Sequence, residues 1–188
     1  MELREGLLTR RTISTFSKQP VDRDIVKRAT ECAMLAPNHK NTEPWHFYIL
    51  EGESKEKLAK RRGYFKASKF EEGDERAKTA QEKGYQSMVD LPWVVVVTAR
   101  RTPEDPVRDR EDYAAVSAAI QNFMLSVWSE GVGTKWSTGA LVQDEEVARI
   151  ISAEENEEVV GILFVGYPEG TQPKPKKRHE AESITWLD

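Results

Sequence analysis

The chain has 188 residues, 38% of them hydrophobic and 32% charged, and 28 Lys plus Arg against 32 Asp plus Glu leave a formal charge of −4. That length suits one domain with a sizeable core better than two, and the acidic balance argues against nucleic acid as a partner. The single cysteine, Cys32, excludes an intrachain disulfide framework and any Cys-x-x-Cys centre. No apolar run follows N-terminal basic residues and no apolar stretch is long enough to span a bilayer, so a cytoplasmic protein without membrane contact is expected.

Leu3, Leu7 and Leu8 mark one face of a short helix ending near Thr9 and Arg10. Asp22 caps a second helix, with Ile25, Ala29, Cys32 and Ala33 at helical spacing, which puts Cys32 in the core. It stops before Pro37, because the residue preceding proline is pushed out of the α region. Residues 36–42 read as a loop, and the aromatic run from Trp45 to Leu50 reads as a strand. Ser54 caps a short charged helix after it.

From 61 to 90 the chain is charged, weakly periodic and punctuated by Gly63, Gly73 and Gly84, as expected of a surface excursion that is helical in part. Residues 92–98 form a strand whose four consecutive valines show no alternation, so both its faces should be covered. A long helix runs from 111 to 130 with Tyr113, Val116, Ile120, Phe123 and Val127 on one face, ended by Gly131 and Gly133. Asp144 caps another, with Val147, Ile150 and Ile151 inward, and 159–166 is a third strand, buried like the second. The tail, 168–188, is extended and has no evident home on its own chain, which points to a neighbouring subunit. Helices and strands in this order give an α+β fold around one sheet.

The usual chemical motifs are missing. His39, His46 and His179 show no metal-ligand spacing, and there is no Gly-x-Ser-x-Gly elbow, Walker A loop or Gly-x-Gly-x-x-Gly. Three segments carry a different signal. Arg10-Arg11-Thr12 offers two guanidiniums and a hydroxyl able to grip a phosphate, or else forms a solvated basic patch. The first helix does not assist, since its C-terminal dipole end repels anions. Residues 37–45 set amide, imidazole and carboxylate groups beside prolines and Trp45; they either present polar atoms to a planar heterocycle or form a proline-stiffened loop. Residues 133–139 place hydroxyls and Lys135 between glycines, as a ligand contact or a structural turn.

Taken together in this order, residues 10–16, 36–47, 131–141 and 160–168 resemble the nitroreductase family of FMN-dependent oxidoreductases, in its compact branch. The resemblance implies a three-layer α/β/α version of the α+β fold with a central, mainly antiparallel sheet. It also implies an intertwined homodimer with FMN at the interface. By position, Arg10 and Thr12 would meet the phosphate and ribityl end with Arg11 alongside, and Ser14 would stand at the flavin pyrimidine. Pro37, Asn38, His39 and Asn41 would approach from the partner subunit; Trp136, Ser137, Thr138 and Gly139 match a later flavin-contacting stretch. Lys176 and Arg178 match a basic pair at the phosphate.

Two positions depart from the family pattern. Ser14 stands where many members carry a cation that stabilises the reduced flavin, with Lys40 or Lys135 as substitutes, and Glu43 replaces a common Gln. The implied activity is ping-pong hydride transfer from NAD(P)H through FMN to a nitroaromatic, a quinone or a similar electron-poor acceptor. Such chemistry needs no protein nucleophile or base, in keeping with the missing motifs. The rival readings are a specialised member (dehalogenase, dehydrogenase or flavin-destroying enzyme) and a non-catalytic flavin-binding module.

Overall fold

The run Val94–Val97 organises the molecule: all four valines are fully buried. In a computed structural model that describes residues 1–71, 73–171 and 183–187, they lie at the centre of one antiparallel sheet. Its strands β1 (Trp45–Leu50), β2 (Trp93–Arg100), β3 (Gly133–Ser137) and β4 (Glu157–Gly166) lie side by side in the order β1-β2-β4-β3. Val95 and Val97, with Leu163 and Val165 of β4, face a layer made by α2 (Arg23–Ala33) and α5 (Pro106–Ser129). Val94 and Val96, with Ile162 and Phe164, face α3 (Gly52–Ala67), α4 (Glu75–Val89) and α6 (Glu145–Ile151). The expected three-layer α/β/α arrangement is therefore present, and the lack of alternation in β2 reflects cover on both faces.

Local signals set most helix starts. The Asp22 carboxylate accepts from the Asp24 amide at 2.9 Å, and Asp144 accepts from Glu146 at 3.1 Å, at the heads of α2 and α6. The long helix α5 begins at Pro106 rather than 111, because Asp105 caps it through the Arg108 amide and proline suits its first turn. Its inward face differs too: Asp112 is buried while Tyr113 is exposed. Cys32 is also exposed, not in the core.

Two further expectations need correction. Residues 133–137 are a strand, not a turn, and they complete the sheet at its far edge. The 61–90 stretch is mostly helical, as the end of α3 and all of α4 pack against each other. Gly63 and Gly84 are not breaks but the contact itself. A Cβ on Gly63 would sit 2.8 Å from the Gln81 carbonyl oxygen, and one on Gly84 would sit 3.0 Å from the Gly63 Cα. Only residues without a side chain let these helices approach so closely.

The first helix, α1 (Leu3–Thr9), turns Gly6 inward and leaves Leu3, Leu7 and Leu8 exposed, so among the described residues its apolar face finds no cover. Among the described residues no helix is long and apolar enough to cross a membrane.

Two stability predictions follow from this packing. Gly63→Val should lower stability by about 1–3 kcal/mol through overpacking at the α3–α4 crossing, read as a lower urea midpoint with an unchanged slope. At the head of α5, Arg101 donates to both Asp109 carboxylate oxygens at 2.6–2.8 Å and the Thr102 amide adds a third bond at 2.9 Å. Arg101 above all holds the Asp109 pKa down at about 2. A depressed carboxylate pKa stabilises the fold above the unfolded value and loses that contribution as pH falls toward the folded one. Asp109→Asn should therefore flatten the fall in urea midpoint between about pH 4 and pH 2.

Candidate active site

At the outer edge of the sheet, β3 is flanked by the chain leaving α1. Thr12 pairs with Thr134 as a parallel bridge, the Ile13 amide donates to the Thr134 carbonyl at 2.9 Å, and Phe16 pairs with Pro168. Gly133 makes this possible, since a Cβ there would lie 2.5 Å from Ile13 Cγ1. The bridge brings Arg10, Arg11, Thr12 and Ser14 alongside the strand that carries Trp136 and Ser137. Thr12 and Ser14 are exposed, as are Thr138 and Gly139 just beyond the strand.

This edge is polar and incompletely satisfied. Arg11 donates from Nη1 to its neighbour's carbonyl at 2.6 Å, while its Nε is buried without a partner. Thr134 Oγ1 and Trp136 Nε1 are in the same condition. Among the described residues only one other buried side-chain polar atom, Thr98 Oγ1, shares it, so three of four gather at this junction. A buried unpaired donor costs on the order of 1–3 kcal/mol, and such a cluster is what a polar ligand or a second chain would relieve.

The loop before β1 lies elsewhere. It folds into a 3-10 turn at His39–Asn41 with Lys40, Asn41 and Glu43 all at positive φ, 56°, 51° and 45°. Three non-glycine residues in the left-handed region store strain of about 1–2 kcal/mol each. Bonds on every side hold them. The Asn38 side-chain oxygen accepts from the Glu43 amide at 3.0 Å, and His39 Nδ1 contacts Glu111 at 2.6 Å. The Thr42 hydroxyl donates to Asp112 at 2.6 Å, which Arg108 also approaches at 3.5 Å. Glu111 takes the Nδ1 side of the imidazole, so Nε2 is the edge available to a ligand. Pro37, Asn41 and Glu43 are exposed.

Asp112 escaped sequence reasoning although a signal existed. It stands four residues before Val116, in line with the buried stripe of Val116, Ile120, Phe123 and Val127, and a carboxylate in an apolar stripe requires a local partner.

The two clusters do not meet within one chain. The loop leads into β1 and the Arg10–Ser14 segment flanks β3, which are opposite edges of the sheet. Along α5 the loop is tied to Glu111 and Asp112, whereas α1 is tied by a 3.0 Å bond from Trp128 Nε1 to Thr9 Oγ1. Those anchor points are roughly 25 Å apart at 1.5 Å per residue. Lys176 and Arg178 lie outside the described residues. No group of three or more His, Cys, Asp and Glu among the described residues could hold a metal ion.

Residues 7–167 match the Nitroreductase family. The chain belongs to the nitroreductase family. It is 32% identical over 178 residues to "Putative NAD(P)H nitroreductase YfhC" of Bacillus subtilis (strain 168), covering 94% of this chain and 89% of that one. Among solved structures it superposes with a nitroreductase-like family protein from Bacillus cereus at a TM-score of 0.83 and 28% identity, covering 100% and 97% of the two chains. With the FMN- and NADPH-dependent nitroreductase NfnB of Sphigopyxis sp. strain HMH the TM-score is 0.75 at 17% identity, covering 100% of both chains, which is a likeness of fold.

The residues at the β3 edge fit a flavin mononucleotide: guanidiniums and a hydroxyl for a phosphate, and orphaned donors beside a tryptophan. The anchoring of the opposite loop is testable alone. Asp112→Ala leaves Thr42 and Arg108 without their acceptor, and should cost about 1.5–3 kcal/mol with faster amide exchange across 38–43.

Proposed function

We propose that this chain is an FMN-dependent oxidoreductase that takes hydride from NAD(P)H and passes the electrons to nitroaromatic, quinone or similar electron-poor acceptors. In this reading it works as a homodimer. The observation that carries the reading is the division of the polar cradle into two halves at opposite ends of α5. One half has unpaired buried donors at β3; the other has a strained, pinned loop. A two-fold axis that sets two copies of α5 antiparallel would bring the loop of one copy to the β3 edge of the other. The uncovered Leu3, Leu7 and Leu8 of α1, together with Leu35 and Tyr113, supply apolar surface for such an interface. Relatives named for NAD(P)H and a fold neighbour named for FMN and NADPH support the choice of ligands.

Bound FMN supplies the two-electron chemistry, accepting hydride and returning it to the acceptor. The chain's own residues bind and orient. Arg10, Arg11 and Thr12 hold the phosphate and ribityl end, and the basic pair Lys176 and Arg178 adds charge there. Ser14 gives a neutral hydrogen bond at the pyrimidine edge. Trp136, Ser137, Thr138 and Gly139 line the ring from their own chain, while Pro37, Asn38, His39 and Asn41 reach it from the partner. Donor and acceptor use one place in turn, which gives ping-pong kinetics. The hairpin of α3 and α4 covers that place from the remaining side and excludes water. The whole chain acts as one flavin-binding domain; the start of the tail expected to reach a partner instead lies on its own chain, where Pro168 pairs with Phe16 and the Glu169 amide donates to the Thr15 carbonyl at 3.0 Å.

FMN titration followed by anaerobic addition of NADPH or NADH tests this. The expected result is stoichiometric flavin binding and bleaching of the visible flavin band, restored by a nitroaromatic or quinone. Arg10→Ala should weaken FMN binding about 10- to 100-fold, the loss of one charge-assisted phosphate contact. A flavin that binds but never bleaches would convert the protein to a binding module and contradict the reductase reading.

A further inference from the structure

The cations of α3 change character part-way along the helix. Lys57 is neutralised by Glu53 at 2.9 Å, Lys60 by Glu56 at 3.0 Å, and Arg61 by Asp144. Beyond Arg61 the pairing stops. Among the described residues, Arg62, Lys66, Lys69 and, on β3, Lys135 have no carboxylate within ion-pair distance. Arg62 lies over the Phe164 ring, 4.8 Å from its centre, and donates from Nε to the Ser87 hydroxyl at 3.1 Å. It is held by β4 and α4, with no described residue bonded to its terminal nitrogens. Lys66 lays its stem against Gly84 of α4. Burial pushes the Lys66 ammonium pKa down, and the charges of Arg62, Lys69 and Lys135 push it further.

The geometry of the four is directional. Arg62 and Lys66 are four residues apart on one face of α3, and Lys69 follows in the turn just beyond the helix end at Ala67, near enough for its charge to act on Lys66. The inner end reaches Phe164, and Phe164 stands opposite Lys135 in the β3–β4 register. Along β3, Ser137 shares the face of Lys135, while Trp136, opposite Leu163, faces the α2–α5 layer. The outer end lies at the tip of the α3–α4 hairpin. The strip therefore leads outward from the candidate active site.

We propose that Arg62, Lys66, Lys69 and Lys135 form a binding track for the phosphates of the nicotinamide dinucleotide that delivers hydride at β3. This rests on the reading of the protein as an NAD(P)H-oxidising enzyme. A dinucleotide places its charged phosphates at a distance from its reactive ring, which matches a strip of cations running away from the flavin contacts. A single phosphate needs only one end of it, and the FMN phosphate already has Arg10, Arg11 and Thr12. Unpaired like charges held together on an acidic chain are relieved by an anion, and NADPH, with one more phosphate than NADH, relieves them better.

Calorimetric titration of the purified protein with NADP+ and NAD+ tests the track without requiring hydride transfer. NADP+ should bind more tightly than NAD+, and its affinity should fall as salt is raised. The double variant Lys66→Gln/Lys69→Gln keeps both side-chain stems and should weaken NADP+ binding about tenfold or more, with FMN affinity and thermal midpoint unchanged. Unchanged NADP+ affinity in the folded variant, or no NADP+ binding at all, overturns the proposal. A loss of FMN affinity in place of NADP+ affinity also overturns it and assigns the cations to the flavin. Strip-dependent NADP+ binding without flavin bleaching by NADPH upholds the track and removes the reductase reading instead.

Discussion

A helix of 24 residues, buried along one side, holds apart the two polar clusters that the proposed flavin site needs together. At one end of α5, Glu111 and Asp112 pin a loop with three left-handed residues. At the other, Trp128 fastens α1 so that the following arginines run beside β3. Apolar packing along Val116, Ile120, Phe123 and Val127 makes this spacing rigid. Neither cluster can drift toward the other without emptying the core on that side of the sheet. The division of the cradle is thus a consequence of how the helix is buried, and the proposed dimer is its geometric solution.

Sheet and cradle are built by the same choices. The β2 valines need cover on both faces, and supplying it uses α2 and α5 on one side and α3, α4 and α6 on the other. That leaves the two sheet edges as the places where polar backbone and side chains meet solvent. One edge, β3, is flanked by the chain at Thr12, and the other is β1, which the polar loop feeds. The exposed leucines of α1 belong to the same logic, since a helix so short gains its stability from an apolar face it must place somewhere.

Much of this could be read from the residues. The strands β1, β2 and β4 announce themselves by aromatic and β-branched composition, and Asp22 and Asp144 can be read as caps because their chemistry is local. β3 does not: glycine, threonine and lysine give no strand pattern, and the segment pairs only because β4 and Thr12 lie on either side of it. Cys32 misleads for a geometric reason. At 100° per residue it falls about 20° beyond Ile25, away from Val26, Ala29 and Ala33, and so just outside the buried stripe. Gly63 and Gly84 look like helix breakers until the opposing helix is present. Of the site, the Arg10–Thr12 cluster, the Pro37–Asn41 loop and the Trp136 segment could be singled out by residue type, but their separation within one chain and the role of Asp112 depend on tertiary structure.

The central claim, that each flavin site takes one half from each of two chains, can be tested by subunit mixing. Arg10→Ala and Asn38→Ala/His39→Ala proteins, each unable to retain FMN at a chosen concentration, are unfolded together and refolded. Random pairing makes half of the dimers mixed, each with one intact site, so about a quarter of all sites should recover flavin. A mixture that binds no more FMN than its parents, or a wild-type protein that binds FMN fully as a monomer, would contradict the account.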